Sequence, residues 1–136
     1  MNNKVYVAGS RHELEGVRQV QQLMIDHGYE ITFDWTGEEG ELRETWEEVS
    51  YRAADLAGRE LEAIELADTF VLVVTKGRGR GCYVELGMAI ALEKQVFIIG
   101  PYDDSVFFYS ENVYRIPHRT AFRDFMSGLT AGRKVV

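Results

Sequence analysis

From Thr69 to Thr75 the chain reads Thr-Phe-Val-Leu-Val-Val-Thr, with no polar residue set aside for water at alternate positions. A strand that is apolar on both faces belongs in the middle of a parallel sheet covered by helices on each side. A second run of this kind, Gln95–Ile99, ends at Gly100-Pro101. Lys4-Val-Tyr-Val-Ala8 forms a shorter strand closed by Gly9-Ser10, and Tyr29–Phe33 alternates until Asp34-Trp35-Thr36-Gly37 stops it.

The intervening segments are helical. Leu14, Val17, Val20, Leu23 and Met24 recur at helical spacing between Arg11 and His27, and Gly28 follows where a terminating glycine belongs. The span from about Leu42 to Ala67 forms a helix with a possible break near Gly58, and another runs from about Cys82 to Glu93. Val106–Tyr109 fits a strand or a short helix, and Thr120–Gly128 closes the chain as a helix. Strands separated by helices imply right-handed parallel crossovers. The expected fold is α/β, a three-layer sandwich of flavodoxin or Rossmann type with a four- or five-stranded, mainly parallel sheet. Residues 1–136 are expected to form a single domain.

Ligands of such sheets bind beyond the carboxyl ends of the strands. Those ends carry Gly9-Ser10, Asp34-Trp35, the loop Lys76-Gly-Arg-Gly-Arg-Gly81 and Gly100-Pro101. The glycines of the loop can take backbone conformations closed to other residues, and their N–H groups precede a helix N-terminus suited to an anion. Arginine adds bidentate geometry for phosphate, although a tight turn with solvated arginines uses the same residues. The loop is neither a Walker loop nor a dinucleotide fingerprint.

Charge narrows the ligand. The formal net charge is −7, which argues against a nucleic-acid polymer as partner. Glu38–Glu48, with six glutamates and one arginine, carries −5 of it and leaves −2 elsewhere. Lys76, Arg78 and Arg80 are thus a basic spot on an acidic chain, matched to a small anion. The apolar runs fall short of a membrane span, and the start at Met-Asn-Asn-Lys enters strand-like sequence at once. With one cysteine, the expectation is a cytoplasmic protein without a disulfide framework.

Tyr6-Val-Ala-Gly-Ser10 resembles the opening motif of the nucleoside 2-deoxyribosyltransferase-like family, which includes 2'-deoxynucleoside 5'-phosphate N-hydrolases. Glu60-Leu-Glu-Ala-Ile-Glu-Leu-Ala-Asp68, the glycine-rich loop and Glu85-Leu-Gly-Met-Ala89 are similar to its second signature. The resemblance spans roughly residues 4 to 116. It implies that Glu85 is the nucleophile at C1', that Tyr6 orients it, and that Glu60 protonates or positions the leaving base. Gly9, Ser10, Gly79 and Gly81 would line the sugar or phosphate pocket. Asn112 resembles a residue that some members donate to a neighbouring subunit, so a homo-oligomer is implied.

Glu60 departs from the family's usual aspartate, and the loop lacks the acid that transferases on free nucleosides usually carry. Its Lys76, Arg78 and Arg80, with Arg11 nearby, favour a phosphorylated substrate. The implied function is an N-glycosidase of a (deoxy)nucleoside 5'-monophosphate working through a covalent glycosyl–glutamate. A deoxyribosyltransferase and a non-catalytic nucleotide sensor are the alternatives.

On residue type alone, Glu85 in a first helical turn would be kept ionised by the helix dipole, and glutamate there is common without catalysis. Trp35 could stack on a base that Asp34 binds; a capping aspartate beside a packing tryptophan fits equally. Cys82 at a helix start near Arg80 has a setting that lowers a thiol pKa, but no histidine is suitably spaced and it is read as a small buried thiol. His12, His27 and His118 are too scattered for metal-ligand spacing. No metal or organic cofactor is expected.

Overall fold

The structure, a computed structural model, describes residues 3–37, 50–77 and 79–130, the side chains of 129 and 130 aside. The acidic run Glu38–Glu48 and Arg78 lie outside the described residues.

The sheet has five strands, β1 (Lys4–Gly9), β2 (Glu30–Ile31), β3 (Thr69–Val73), β4 (Gln95–Ile99) and β5 (Val113–Ile116). Its order is β2-β1-β3-β4-β5 and every pairing is parallel. Among the described residues four helices complete it: α1 (Leu14–Asp26), α2 (Ser50–Leu66), α3 (Arg80–Ala91) and α4 (Arg119–Thr130). This is the α/β arrangement of a flavodoxin-like three-layer sandwich.

The burial of β3 follows from its sequence: all five of its residues are buried. Neighbouring residues then serve opposite layers. Tyr6 and Phe70 are in register and stack at 6.0 Å on the face covered by α2 and α3. Val71 and Phe97 share the other face, where Phe97 meets Phe122 and Phe125 of α4 edge-on.

Several boundaries differ from the sequence expectation. A 3-10 turn, Arg11–Glu13, precedes α1, so the helix starts three residues after Arg11, at the first of its apolar positions. Gly28 ends it with φ +89°, a conformation that costs other residues strain. Helix α2 runs unbroken through Gly58. Val106–Tyr109 is a 3-10 turn that buries Phe108 and leaves Phe107 and Tyr109 exposed. β5 escaped the periodicity because Tyr114 and Arg115, its central pair, are both exposed on an edge strand. Among the described residues no helix is long and apolar enough to cross a membrane.

In this strand order the chain reverses direction across the sheet between β1 and β3. The loops leaving these two strands therefore diverge and open a crevice at their carboxyl ends.

Candidate active site

A cleft of about 650 Å³ occupies that crevice. Its floor is Tyr6 and Glu85; Gly9, Ser10, Arg11 and His12 form one side and Gly79, Arg80, Gly81 and Cys82 another. Trp35 and the α2 residues Ala53, Leu56, Ala57 and Glu60 complete the wall. The α2 residues fall at i, i+3, i+4 and i+7, one face of a helix. Sequence reasoning reached Glu60 and missed the other three, although counting back along its helical face leads to them. It also missed His12.

The centre of the cleft is polar and partly buried. Tyr6, 1% exposed, donates its hydroxyl hydrogen to Glu85 Oε2 at 2.8 Å. Glu60 lies within hydrogen-bonding reach of Glu85 from the opposite helix. Burial, first, and then the Glu60 carboxyl push the Glu85 carboxyl far above its ordinary range, against the opposing pull of the Tyr6 hydrogen bond. Burial and the charges of Glu85 and Glu60 raise the Tyr6 phenol too, so it remains a donor. Two carboxyls in contact cannot both ionise cheaply, and here burial and the neighbouring acid oppose ionisation of Glu85.

This corrects the expectation of a dipole-ionised Glu85. Helix α3 begins at Arg80, which leaves no acid in its first turn and puts Glu85 in the second. The dipole acts within the first turn, so burial and Glu60 decide the charge state. The Cys82 thiol is corrected in the same direction: burial and then Glu85 push it up to about 11, and it donates to the Gly79 carbonyl at 3.3 Å. It is a buried thiol, as its lack of a histidine partner suggested.

The loop glycines serve space rather than left-handed backbone. Gly79 is extended, at φ −133° and ψ 146°. A Cβ there would come within 2.8 Å of Ser10 Cβ and 3.0 Å of Cys82 Sγ, so only glycine lets this loop close on the turn after β1. Gly77 and Gly81 face open space. Gly79 also brings no side chain to cap α3, whose first N–H groups stand at the cleft with the exposed Arg80. Arg11 is exposed on the opposite rim.

Trp35 is buried against the cleft and donates its indole N–H to the Val7 carbonyl at 2.7 Å, which fixes the ring plane. Asp34 is not part of the lining. Its carboxylate accepts from the Thr36 amide at 3.0 Å, from the Thr36 hydroxyl at 2.5 Å and from Gln21 at 3.2 Å. Burial opposes ionisation of Asp34, and these hydrogen bonds outweigh it and hold the carboxyl below its usual range. Asn112 sits just before β5, at the amino end of the sheet, and donates to the Lys94 carbonyl at 2.6 Å. It is not part of this chain's cleft.

The fold is shared with a solved nucleotide-cleaving enzyme. Compared with the structure of the CMP N-glycosidase BcmB of Clostridium botulinum, the TM-score is 0.65 at 14% sequence identity. The similarity covers 91% of this chain and 98% of the other. No protein-family model matches the sequence, and no curated protein sequence matches it.

Proposed function

We propose that the cleft cleaves the N-glycosidic bond of a nucleoside 5'-monophosphate. The observation that carries this reading is the Tyr6–Glu85–Glu60 group on the cleft floor, at the point where the strand order reverses. Similarity in fold to an enzyme described as a CMP N-glycosidase supports it.

In the first step a Glu85 carboxylate oxygen bonds to C1' as the C1'–N bond breaks and its electron pair leaves with the base. The proton of the Glu85 carboxyl passes to Glu60, within hydrogen-bonding reach, and from Glu60 to the departing base. Tyr6 donates to Glu85 throughout and fixes which oxygen faces C1'. In the second step water attacks C1', its proton passes to Glu60, and the C1'–O bond to Glu85 breaks to free the sugar phosphate.

The 5'-phosphate would lie at the start of α3, against its N–H groups, with Arg80 and Arg11 on the rims. The fixed face of Trp35 and the small residues Ala53 and Ala57 leave a flat apolar slot for the base.

The test is chromatography of free bases after incubation with nucleosides and their 5'-monophosphates. Release from monophosphates and not from the matching nucleosides is the expected result. Release only when a second base is added would make the protein a transferase, and binding without any release would make it a sensor.

A further inference from the structure

Glu13 is a charged-type residue placed where charge is costly. It is 1% exposed, at the end of the 3-10 turn that follows β1, and it does not line the cleft. Its carboxylate reaches across to the loop that leaves β3. Oε1 accepts from the Thr75 hydroxyl at 2.9 Å, and Oε2 accepts from the Lys76 amide and from the Gly77 amide at 3.1 Å. Neighbouring residues are small enough to admit it: a Cβ on Gly9 would lie 3.3 Å from Glu13 Cβ, and one on Gly16 would lie 3.4 Å from Oε1.

We propose that Glu13 is a positioning residue that locks the loop after β3 to the turn after β1, and so holds the phosphate end of the cleft in its binding geometry. The assignment rests on the nucleotide reading above. Among the described residues two contacts tie the loops together. Glu13 holds the first part of the glycine-rich loop, and Gly79 closes on Ser10 in its second part. Directly after these points the loop leads into Arg80 and the first amides of α3 on one side of the cleft, while the turn places Ser10 and Arg11 on the other. A buried carboxylate that accepts from consecutive backbone amides fixes both the spacing and the direction of the loop. Glu13 therefore acts through the loop and touches no substrate.

The test compares full-length wild type with Glu13→Gln and Glu13→Asp. Glutamine keeps the length: its carboxamide oxygen can accept from Lys76 and Gly77 while its NH2 donates to the Thr75 hydroxyl oxygen. Aspartate keeps the acid but falls about one methylene short of the loop. Two quantities are read: amide hydrogen exchange at Lys76 and Gly77, and KM and kcat for base release from CMP. For Glu13→Asp, exchange at these two amides is expected to rise roughly tenfold or more relative to Val71 in β3. Its KM is expected to rise roughly tenfold with kcat within about threefold, and Glu13→Gln to restore both.

Unchanged exchange and KM in Glu13→Asp would overturn the proposal, as would faster exchange spread evenly over the sheet. Should Glu13→Asp fail to fold, Thr75→Val removes one contact from the loop side and is held to the same two outcomes. If wild type releases no base from any nucleotide, the proposed function fails, and exchange at Lys76 and Gly77 still decides whether Glu13 clamps the loop.

Discussion

Two acids of the molecule, one at each end of the sheet, are treated in opposite ways. At the amino end, Asp68 accepts from the Lys4 amide at 3.0 Å and from the Thr69 hydroxyl at 3.0 Å. Asn112 there is equally engaged, with Lys94 and Ser110. These polar groups are satisfied by partners within the fold itself. At the carboxyl end, Glu85 meets one donor, Tyr6, and a second carboxyl, Glu60. A carboxylate given donors stabilises the fold, whereas one given another acid is held at a cost. The contrast separates structural from reactive acids more sharply than residue type or exposure does.

The largest effect should come from replacing the acid held at a cost. Glu85→Gln is expected to lower base release by about a thousandfold or more, since it removes the proposed nucleophile. The same change removes the clash with Glu60, so the melting temperature at pH 8 should stay level or rise. A fall in both activity and melting temperature would place Glu85 among the structural acids and dissolve the contrast.

A smaller loss is expected from Tyr6→Phe, roughly tenfold to a hundredfold in kcat, because the carboxyls remain while one loses its orienting donor. The Tyr6 hydrogen bond lowers the Glu85 pKa, so its removal should move the acidic limb of the pH–rate profile to higher pH. A limb that stays in place would mean that another group sets it.

The smallest change is expected at the other end of the sheet. Asp68→Ala should cost about 1 kcal/mol of stability, measured by urea unfolding, and leave kcat and KM for base release as they are. A loss of activity without a loss of stability would show that the amino end is not merely structural.

Much of this arrangement was legible in the sequence, and the parts that were not share a cause. The apolar run Thr69–Thr75 placed the central strand, and the motifs around Tyr6 and Glu85 pointed to residues that the fold brings together. The protonation state of Glu85 was read wrongly because it depends on Glu60, on another helix, and on where α3 begins. Glu13 reads locally as an ordinary glutamate near a helix start; its partners lie 62 to 64 residues away. Ala53 and Ala57 carry no chemistry of their own and line the cleft only through the face of α2 that they share with Glu60. Local pattern gives elements and candidate groups, whereas charge state and loop anchoring arise from contacts between distant segments.

The most direct test of the acid pair is a titration of the side-chain carboxyls of Glu60 and Glu85 by NMR, in wild type and in Glu85→Gln. Folding raises the Glu85 pKa above 4.5, so the folded state binds the extra proton between that pH and its raised value. Stability from this proton is full below 4.5 and is lost as pH rises through the raised value. The expected result is a Glu85 step well above the ordinary carboxylate range, absent from Glu85→Gln together with the decline in stability at rising pH. Glu85 titrating in the ordinary range, with the same pH–stability curve in the two proteins, would contradict a protonated acid on the cleft floor.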